Sequence, residues 1–129
     1  MKKEIEISII PDKKQRYNTV GDYYETKKKW KIKVSDLPGW KFEALIAIHE
    51  LVEFMLCHDR KIDFREVDEF DMAFDAKRGK NNADEPGDEP DAPYYKEHQF
   101  STKVEKMLAK ELKVNWKEYV LAQGKLMKK

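Results

Sequence analysis

Cysteine and long apolar runs are both scarce in this chain. Cys57 is the only cysteine, so no disulfide can form within the chain and we expect a reducing compartment. The N-terminus has no apolar stretch long enough for secretion or for spanning a membrane. These absences predict a cytoplasmic protein with no membrane partner.

An excess of one charge is also missing. The chain has 26 Lys and Arg against 25 Asp and Glu, for a formal net charge of +1. This balance gives no electrostatic argument for nucleic acid, and none is predicted as a partner. Although 40% of the residues are charged, 12% are aromatic, which supplies large side chains for a packed core. For a chain of 129 residues we expect one folded domain spanning 1–129.

The first part of the chain, residues 1–36, has the patterns of β-strands. Residues 3–10 alternate glutamate or serine with isoleucine, which is the period of a half-buried strand. A second strand is predicted within residues 19–26, and a third over residues 30–36, where large apolar residues alternate with lysine. We predict a small antiparallel sheet of about three strands.

The remainder of the chain is predicted to be helical, apart from one loop. Residues 40–77 contain two helices, and the first of them, residues 40–58, is the most apolar. Residues 78–93 form an acidic loop rich in proline and glycine. Helices resume over residues 94–124, where Gly124 is a plausible stop. The fold class is therefore α+β, with the sheet packed on a mainly helical C-terminal part of about four helices.

Two helices beside the loop have distinct faces. The helix before the loop carries an acidic stripe of Asp68, Asp71 and Asp75, which can bind a hard cation but which we interpret as solvated. The helix after the loop has an apolar stripe that we expect to be buried, consisting of Phe100, Val104, Met107, Leu108 and Leu112.

A polar cluster lies in the first helix, within the stretch IAIHELVEFMLCH of residues 46–58. At 100° per residue, Glu53 lies about 40° and Glu50 about 100° around the helix from His49, so the three side chains share one arc. The other residues of this helix are mostly apolar. Because unpaired carboxylates in such a setting cost several kcal/mol each, we expect something to compensate them.

A bound divalent metal is one such compensation. His49 and Glu53 are four residues apart and can face one ligand, while His98 can complete the His2Glu set that is common in catalytic zinc sites. Glu50 points beside that metal, where a general base can act on a metal-bound water. His58 faces the opposite side of the helix. The sequence therefore predicts a zinc-dependent hydrolase of peptidase type, with Glu50 as the catalytic residue.

A structural alternative stays open. His49 can instead hydrogen-bond Glu53 or a backbone group, and His98 can be a surface residue in the first turn of its helix. The cluster would then be a buried polar network in a non-catalytic module that binds another protein.

Neighbouring segments have expected roles in the enzyme hypothesis. Residues 30–34, if they form a sheet edge, can hold an extended peptide by strand addition. The Pro-rich second half of the loop should pack beside the site as a lid or wall, with Asp88 or Asp91 accepting a hydrogen bond from a liganding imidazole. Residues 79–83 should be mobile.

Three motifs occur in a fixed order over most of the chain: HELVE, then VDEFD, then EPGDEPDAPYYKEH. This order resembles a family of small, mostly uncharacterised proteins of phages and prophage-bearing bacteria. The resemblance implies a phage-associated protein in the cytoplasm of the host cell. We expect a peptide or protein as the partner under the enzyme hypothesis, and a host or virion protein under the structural alternative. A narrower similarity, confined to His49, Glu50 and the preceding sheet, is to HExxH zincin metallopeptidases, whose second histidine is replaced by Glu53.

Overall fold

The fold is α+β, with a three-stranded sheet followed by four helices, as the sequence predicts. The structure is a computed structural model that describes residues 3–79 and 84–127. In chain order its strands and helices are β1 (Glu4–Ile10), β2 (Gly21–Glu25), β3 (Lys29–Ser35), α1 (Trp40–Asp59), α2 (Phe64–Lys77), α3 (Tyr95–Glu111) and α4 (Trp116–Met127). Short 3-10 turns lie at Asp12–Lys14 and Pro86–Asp88.

The sheet is mixed, which corrects the expectation of a wholly antiparallel sheet. Strand β3 is central, with β2 antiparallel to it on one side and β1 parallel to it on the other. Residues 11–28, which include β2, form a connection long enough for β1 and β3 to pair in parallel. Because β3 is central, residues 30–34 are not a sheet edge and cannot accept a peptide by strand addition.

Helix α1 lies between the sheet and α3. On the sheet side, Leu45 and Phe54 are fully buried in one apolar cluster with Ile32 and Val34 of β3. On the other side, its polar residues meet α3. A helix covered on two sides needs an apolar surface over most of its circumference, which explains its sequence. Among the described helices, none has both the length and the apolarity needed to cross a membrane.

Helix α2 turns one residue of its acidic stripe inward, so the expectation of a solvated stripe is wrong at Asp71. Asp71 is only 8% exposed, and it accepts hydrogen bonds from Tyr17 at 3.0 Å and from Tyr94. Asp68 forms an ion pair with Arg16 at 3.0 Å. These partners come from segments far away along the chain, so the helical pattern alone does not reveal them.

Helix α3 packs a polar face inward, and the predicted apolar stripe is confirmed only in part, since Leu108 and Leu112 pack half-buried against the core. Phe100 and Met107 are 50% and 69% exposed. The buried positions of the helix are Glu97, His98, Ser101, Glu105 and Ala109. Apolar periodicity fails here because the inward face carries the polar cluster, whereas single exposed apolar residues are common on protein surfaces.

Helix α4 begins where the stretch Asn115-Trp116-Lys117-Glu118 predicts a start, with Asn at the cap and Glu three residues on, but it ends later than predicted. The Asn115 side chain accepts a hydrogen bond from the backbone N–H of Glu118 at 3.0 Å, which caps the helix. The helix continues through Gly124 to Met127, so the predicted stop is wrong. A glycine inside a helix costs only about 1 kcal/mol relative to alanine, and Met127 is buried in the core beyond it.

Candidate metal centre

Three side chains predicted as metal ligands lie together. The Nε2 atom of His49 is 3.1 Å from Oε2 of Glu53, and Nδ1 of His98 is 2.9 Å from that same oxygen. The two ring nitrogens are 3.1 Å apart. All three residues are at least nine-tenths buried. The arrangement is a compact triangle of two nitrogens and one carboxylate oxygen.

Two helices build this triangle. His49 and Glu53 are one helical turn apart on α1, so their side chains point the same way. His98 lies in the first turn of α3, which packs along α1. His58 is exposed and lies near Trp30, away from the cluster, as expected.

The triangle has dimensions that suit a small divalent ion. Zinc lies about 2.0–2.2 Å from nitrogen and oxygen ligands, which places the ligands of a tetrahedral site roughly 3.4 Å apart. The separations of 2.9–3.1 Å therefore need to widen by only a few tenths of an ångström. Two imidazoles with one carboxylate are also a common zinc donor set. The residues present fit the metal.

Further contacts orient each ligand atom. Glu105 accepts a hydrogen bond from Nδ1 of His49 at 2.7 Å and is itself held by the Tyr119 hydroxyl. The Tyr23 hydroxyl donates to Oε1 of Glu53 at 2.7 Å, so only Oε2 of that carboxylate faces the imidazoles. Partners of this kind fix the direction of a ligand's lone pair.

Without a metal, protons hold the cluster together. Burial alone would lower the pKa of His49, but Glu105 and Glu53 outweigh it and raise that pKa well above its ordinary value. Burial would likewise lower the pKa of His98, yet Asp88, Glu53 and its other acidic neighbours raise it. Burial would raise the pKa of Glu53, but hydrogen bonds from both histidines lower it to about 2. A metal would therefore displace protons from both rings.

An acidic cavity of about 60 Å³ adjoins the triangle. A space of this size holds more than one water molecule. Arg78 is the one arginine or lysine among the residues that line it, and its carboxylates belong to Asp22, Glu50, Glu53, Asp68, Asp71, Glu85 and Glu105. Such a concentration of carboxylates makes the cavity attractive to cations.

Glu50 borders the same cavity as the triangle. Its carboxylate makes no hydrogen bond or ion pair with any residue in the described parts of the chain. Burial and the neighbouring Glu53 raise the pKa of Glu50 well above its usual range. Gly21 of β2 makes room for it, since a Cβ atom there would lie 2.6 Å from Oε1 of Glu50. The side chain is therefore positioned beside the triangle rather than in it.

The described part of the loop, residues 84–93, forms one wall of the cavity. Gly87 is buried against His98, and a Cβ atom at Gly87 would lie 2.4 Å from Cγ of the imidazole. Arg78, whose side chain is 2% exposed, donates to the backbone oxygen of Asp84 at 2.6 Å and so anchors the start of this wall. The Pro-rich half packs beside the cluster as expected. The predicted mobility of residues 79–83 falls mostly on residues 80–83, which lie outside the described residues.

Several residues around the cluster were not anticipated from the sequence. Glu105 lies seven positions after His98 on α3, a spacing that returns to the same helix face, and this signal was available. Gly21 is a glycine within a strand, which often marks a close approach of another group. Tyr23 and Tyr119 carry no local signal, because their roles depend on tertiary contacts.

Comparisons with protein-family models, with curated proteins and with solved structures find no match to this chain. Two imidazoles and one oriented carboxylate beside a small acidic cavity can bind a divalent metal. The separate carboxylate of Glu50, which has no hydrogen-bond partner among the described residues, can accept a proton from water.

Proposed function

We propose that this chain is a minimal zinc-dependent hydrolase of peptidase type. The observation that carries the proposal is the triangle of His49, Glu53 and His98, within 2.9–3.1 Å of one another, beside a cavity that also receives Glu50. Zinc bound there would polarise a scissile carbonyl and lower the pKa of a bound water toward neutrality.

The chain's own residues have separate tasks in this hypothesis. Glu105 and Tyr23 keep one nitrogen of His49 and one oxygen of Glu53 directed at the metal. Glu50 is the general base, because its carboxylate borders the cavity and is not held by any side chain that the structure describes. A divalent cation nearby would counteract the burial that raises the pKa of Glu50, leaving it able to accept a proton near neutral pH.

Substrate recognition cannot use β3 and must involve the cavity wall. A cavity of about 60 Å³ admits water but not a peptide with its side chains, so residues 84–93 would have to move for a peptide to enter. We assign the substrate class as a peptide or protein. The motif order of the chain supports a phage-associated role in the host cytoplasm, where that substrate is a host or virion protein.

The second candidate function is a non-catalytic phage accessory module that binds a host or virion protein. A specific observation favours it: in the absence of metal, His49 lies between two carboxylates and every ligand atom of the triangle already has a hydrogen-bond partner. Ligand atoms that are already hydrogen-bonded in this way can rigidify a core without binding a metal.

Metal content and activity together separate the two functions. Untagged protein purified without chelators should contain zinc, measured by mass spectrometry of the metal, and should cleave a denatured protein or a mixed peptide pool. Glu50→Gln should keep the metal and lose cleavage by at least about 10²-fold, the usual scale for a general base. Glu66→Gln, an exposed change of the same type on α2, should behave as the parent. Protein that takes up no zinc even when it is supplied would overturn the enzyme and favour the module.

A further inference from the structure

His98 presents its two ring nitrogens to two different acidic groups. Its Nδ1 atom belongs to the triangle with Glu53, and its Nε2 atom lies 3.1 Å from Oε2 of Glu85 and 3.2 Å from Oδ1 of Asp88. His98 is only 5% exposed. Nε2 nevertheless has no hydrogen-bond partner among the described residues, because neither carboxylate lies in line with an N–H at this atom.

Two atoms that bind one metal ion lie about this far apart, and neither lies on the lone-pair axis of the other. The carboxylate oxygens of Glu85 and Asp88 have this relation to Nε2 of His98. Two ligand atoms that are each about 2.1 Å from one tetrahedral metal are roughly 3.4 Å apart. The separations between Nε2 and the two carboxylate oxygens, 3.1 and 3.2 Å, are a few tenths of an ångström below that value, as in the inner site. Ligand atoms of Glu85, Asp88 and His98 all lie within 4.8 Å of one another.

The turn that carries both carboxylates is built onto the imidazole. Pro86–Asp88 form a 3-10 turn, in which residues three apart lie on the same side. Gly87 lets this turn contact the ring, since a Cβ atom would lie 2.5 Å from Nδ1 of His98. The Gln99 side chain donates to Oδ1 of Asp88 at 3.2 Å and restricts the carboxylate further. The two acidic side chains are thus held over the buried ring.

We propose that Glu85, Asp88 and Nε2 of His98 form an outer site for a second divalent first-row metal ion. The His98 ring then bridges this outer site to the inner site of His49 and Glu53; the bridge, though not the outer site itself, rests on the proposed function. When both ions are bound, Nε2 gives its proton to solvent and donates its lone pair to the outer ion, while Nδ1 donates to the inner one.

The outer ion has a role different from that of a catalytic pair. Two-metal clamps hold their ions about 3.5–4 Å apart, and a bridging imidazole ring keeps them further apart than that. The outer ion instead ties residues 84–93 to His98 and fixes the wall of the cavity. Glu85 and Asp88 have side chains that are 41% and 59% exposed, so this ion exchanges with solvent more readily than the inner one.

Zinc stoichiometry tests the outer site. Purified full-length protein is equilibrated with zinc by dialysis, and bound zinc per chain is measured. We expect two ions for the parent and one for Glu85→Gln/Asp88→Asn. The control is Glu89→Gln/Asp91→Asn, which removes the same charges from exposed positions of the same segment and should keep two. All four substituted side chains lie at the surface of residues 84–93, so circular dichroism should show a parental fold for both variants.

The outcomes separate the outer site from the proposed function. If the parent binds one ion, the variants show which site holds it. An ion that Glu85→Gln/Asp88→Asn keeps and Glu53→Gln loses is in the inner site, and this result would overturn the outer site. An ion that Glu85→Gln/Asp88→Asn loses and Glu53→Gln keeps is in the outer site, and this result would overturn the inner site. No bound zinc in any variant would overturn both. If Glu53→Gln does not fold, the outer site is tested by the number of protons released when zinc binds. Glu85→Gln/Asp88→Asn should release one proton fewer than the parent, because His98 Nε2 then keeps its proton. Equal proton release by the two proteins would overturn the outer site.

Discussion

Replacing Glu53 with glutamine should destabilise the metal-free protein strongly at neutral pH. Oε2 of Glu53 accepts hydrogen bonds from His49 at 3.1 Å and from His98 at 2.9 Å. Glutamine has nearly the same shape but no charge, so it leaves two buried imidazolium groups with less compensation. The change tests the electrostatics of the cluster apart from any metal.

The pKa of Glu53 sets the size of the effect. The two histidines outweigh burial and lower this pKa from its ordinary 4.5 to about 2. At about 1.4 kcal/mol per pKa unit, the ionised carboxylate contributes roughly 3 kcal/mol to the free energy of unfolding. Because the folded-state pKa is lowered, this contribution is complete well above pH 4.5 and is lost progressively as the pH falls toward 2. For a domain of this size the melting temperature should fall by roughly 10 °C.

Urea unfolding followed by tryptophan fluorescence, in the presence of a chelator, measures the difference. At pH 7, Glu53→Gln should unfold at clearly lower urea than the parent, and the gap should narrow between pH 4.5 and pH 3. Glu69→Gln, an exposed change on α2, should stay within about 0.5 kcal/mol of the parent. With the chelator omitted, zinc at 100 times its Kd for the inner site should stabilise the parent by about 2.7 kcal/mol through that site, whereas Glu53→Gln should gain stability only through the outer site. Equal stability of the parent and Glu53→Gln at pH 7 would refute the reasoning.

Two further predictions concern the wall of the cavity. Gly87→Ala places a methyl group 2.4 Å from Cγ of His98, so we expect a loss of about 1–3 kcal/mol in unfolding free energy and weaker zinc binding by calorimetry. The control is Gly124→Ala, whose methyl group meets no atom within 4 Å and which should be neutral or stabilising. Equal stability of the two variants would contradict the close contact at Gly87. Arg78→Lys cannot keep the forked contacts to Asn18, Asp75 and Asp84. Trypsin should spare the peptide bond after Arg78 in the parent and should cut this segment faster in the variant. Unchanged digestion would show that Arg78 does not hold the cavity wall in place.

Short-range patterns in the sequence were sufficient for the elements of this fold. Alternation located the three strands, and apolar periodicity with the Asn115 cap located the four helices to within a few residues. The arc shared by His49 and Glu53 also followed from helical geometry alone, because residues four apart on one helix always face the same way. These features depend only on neighbours along the chain.

The wrong predictions concern the direction of a strand and the buried faces of two helices, which depend on what packs against them. The sense of β1 relative to β3 depends on a connection that contains another strand. The inward faces of α2 and α3 carry Asp71 and Glu105 because distant tyrosines supply hydrogen bonds to them. A polar residue on a core-facing position looks solvent-exposed in a periodicity analysis, since its burial depends on partners that the local sequence does not specify.

The sequence by itself determined which side chains could act as metal ligands, since the spacing of His49 and Glu53 and the supply of a third ligand, His98, are properties of composition and helical period. Only the tertiary structure decided that His98 meets them, because 45 residues separate it from Glu53 and the packing of α3 along α1 closes that distance. It also decided the second role of the same ring: Gly87 lets the acidic turn lie directly on His98. Contact between groups so far apart in the chain is fixed by the packing of whole helices, which no single segment encodes.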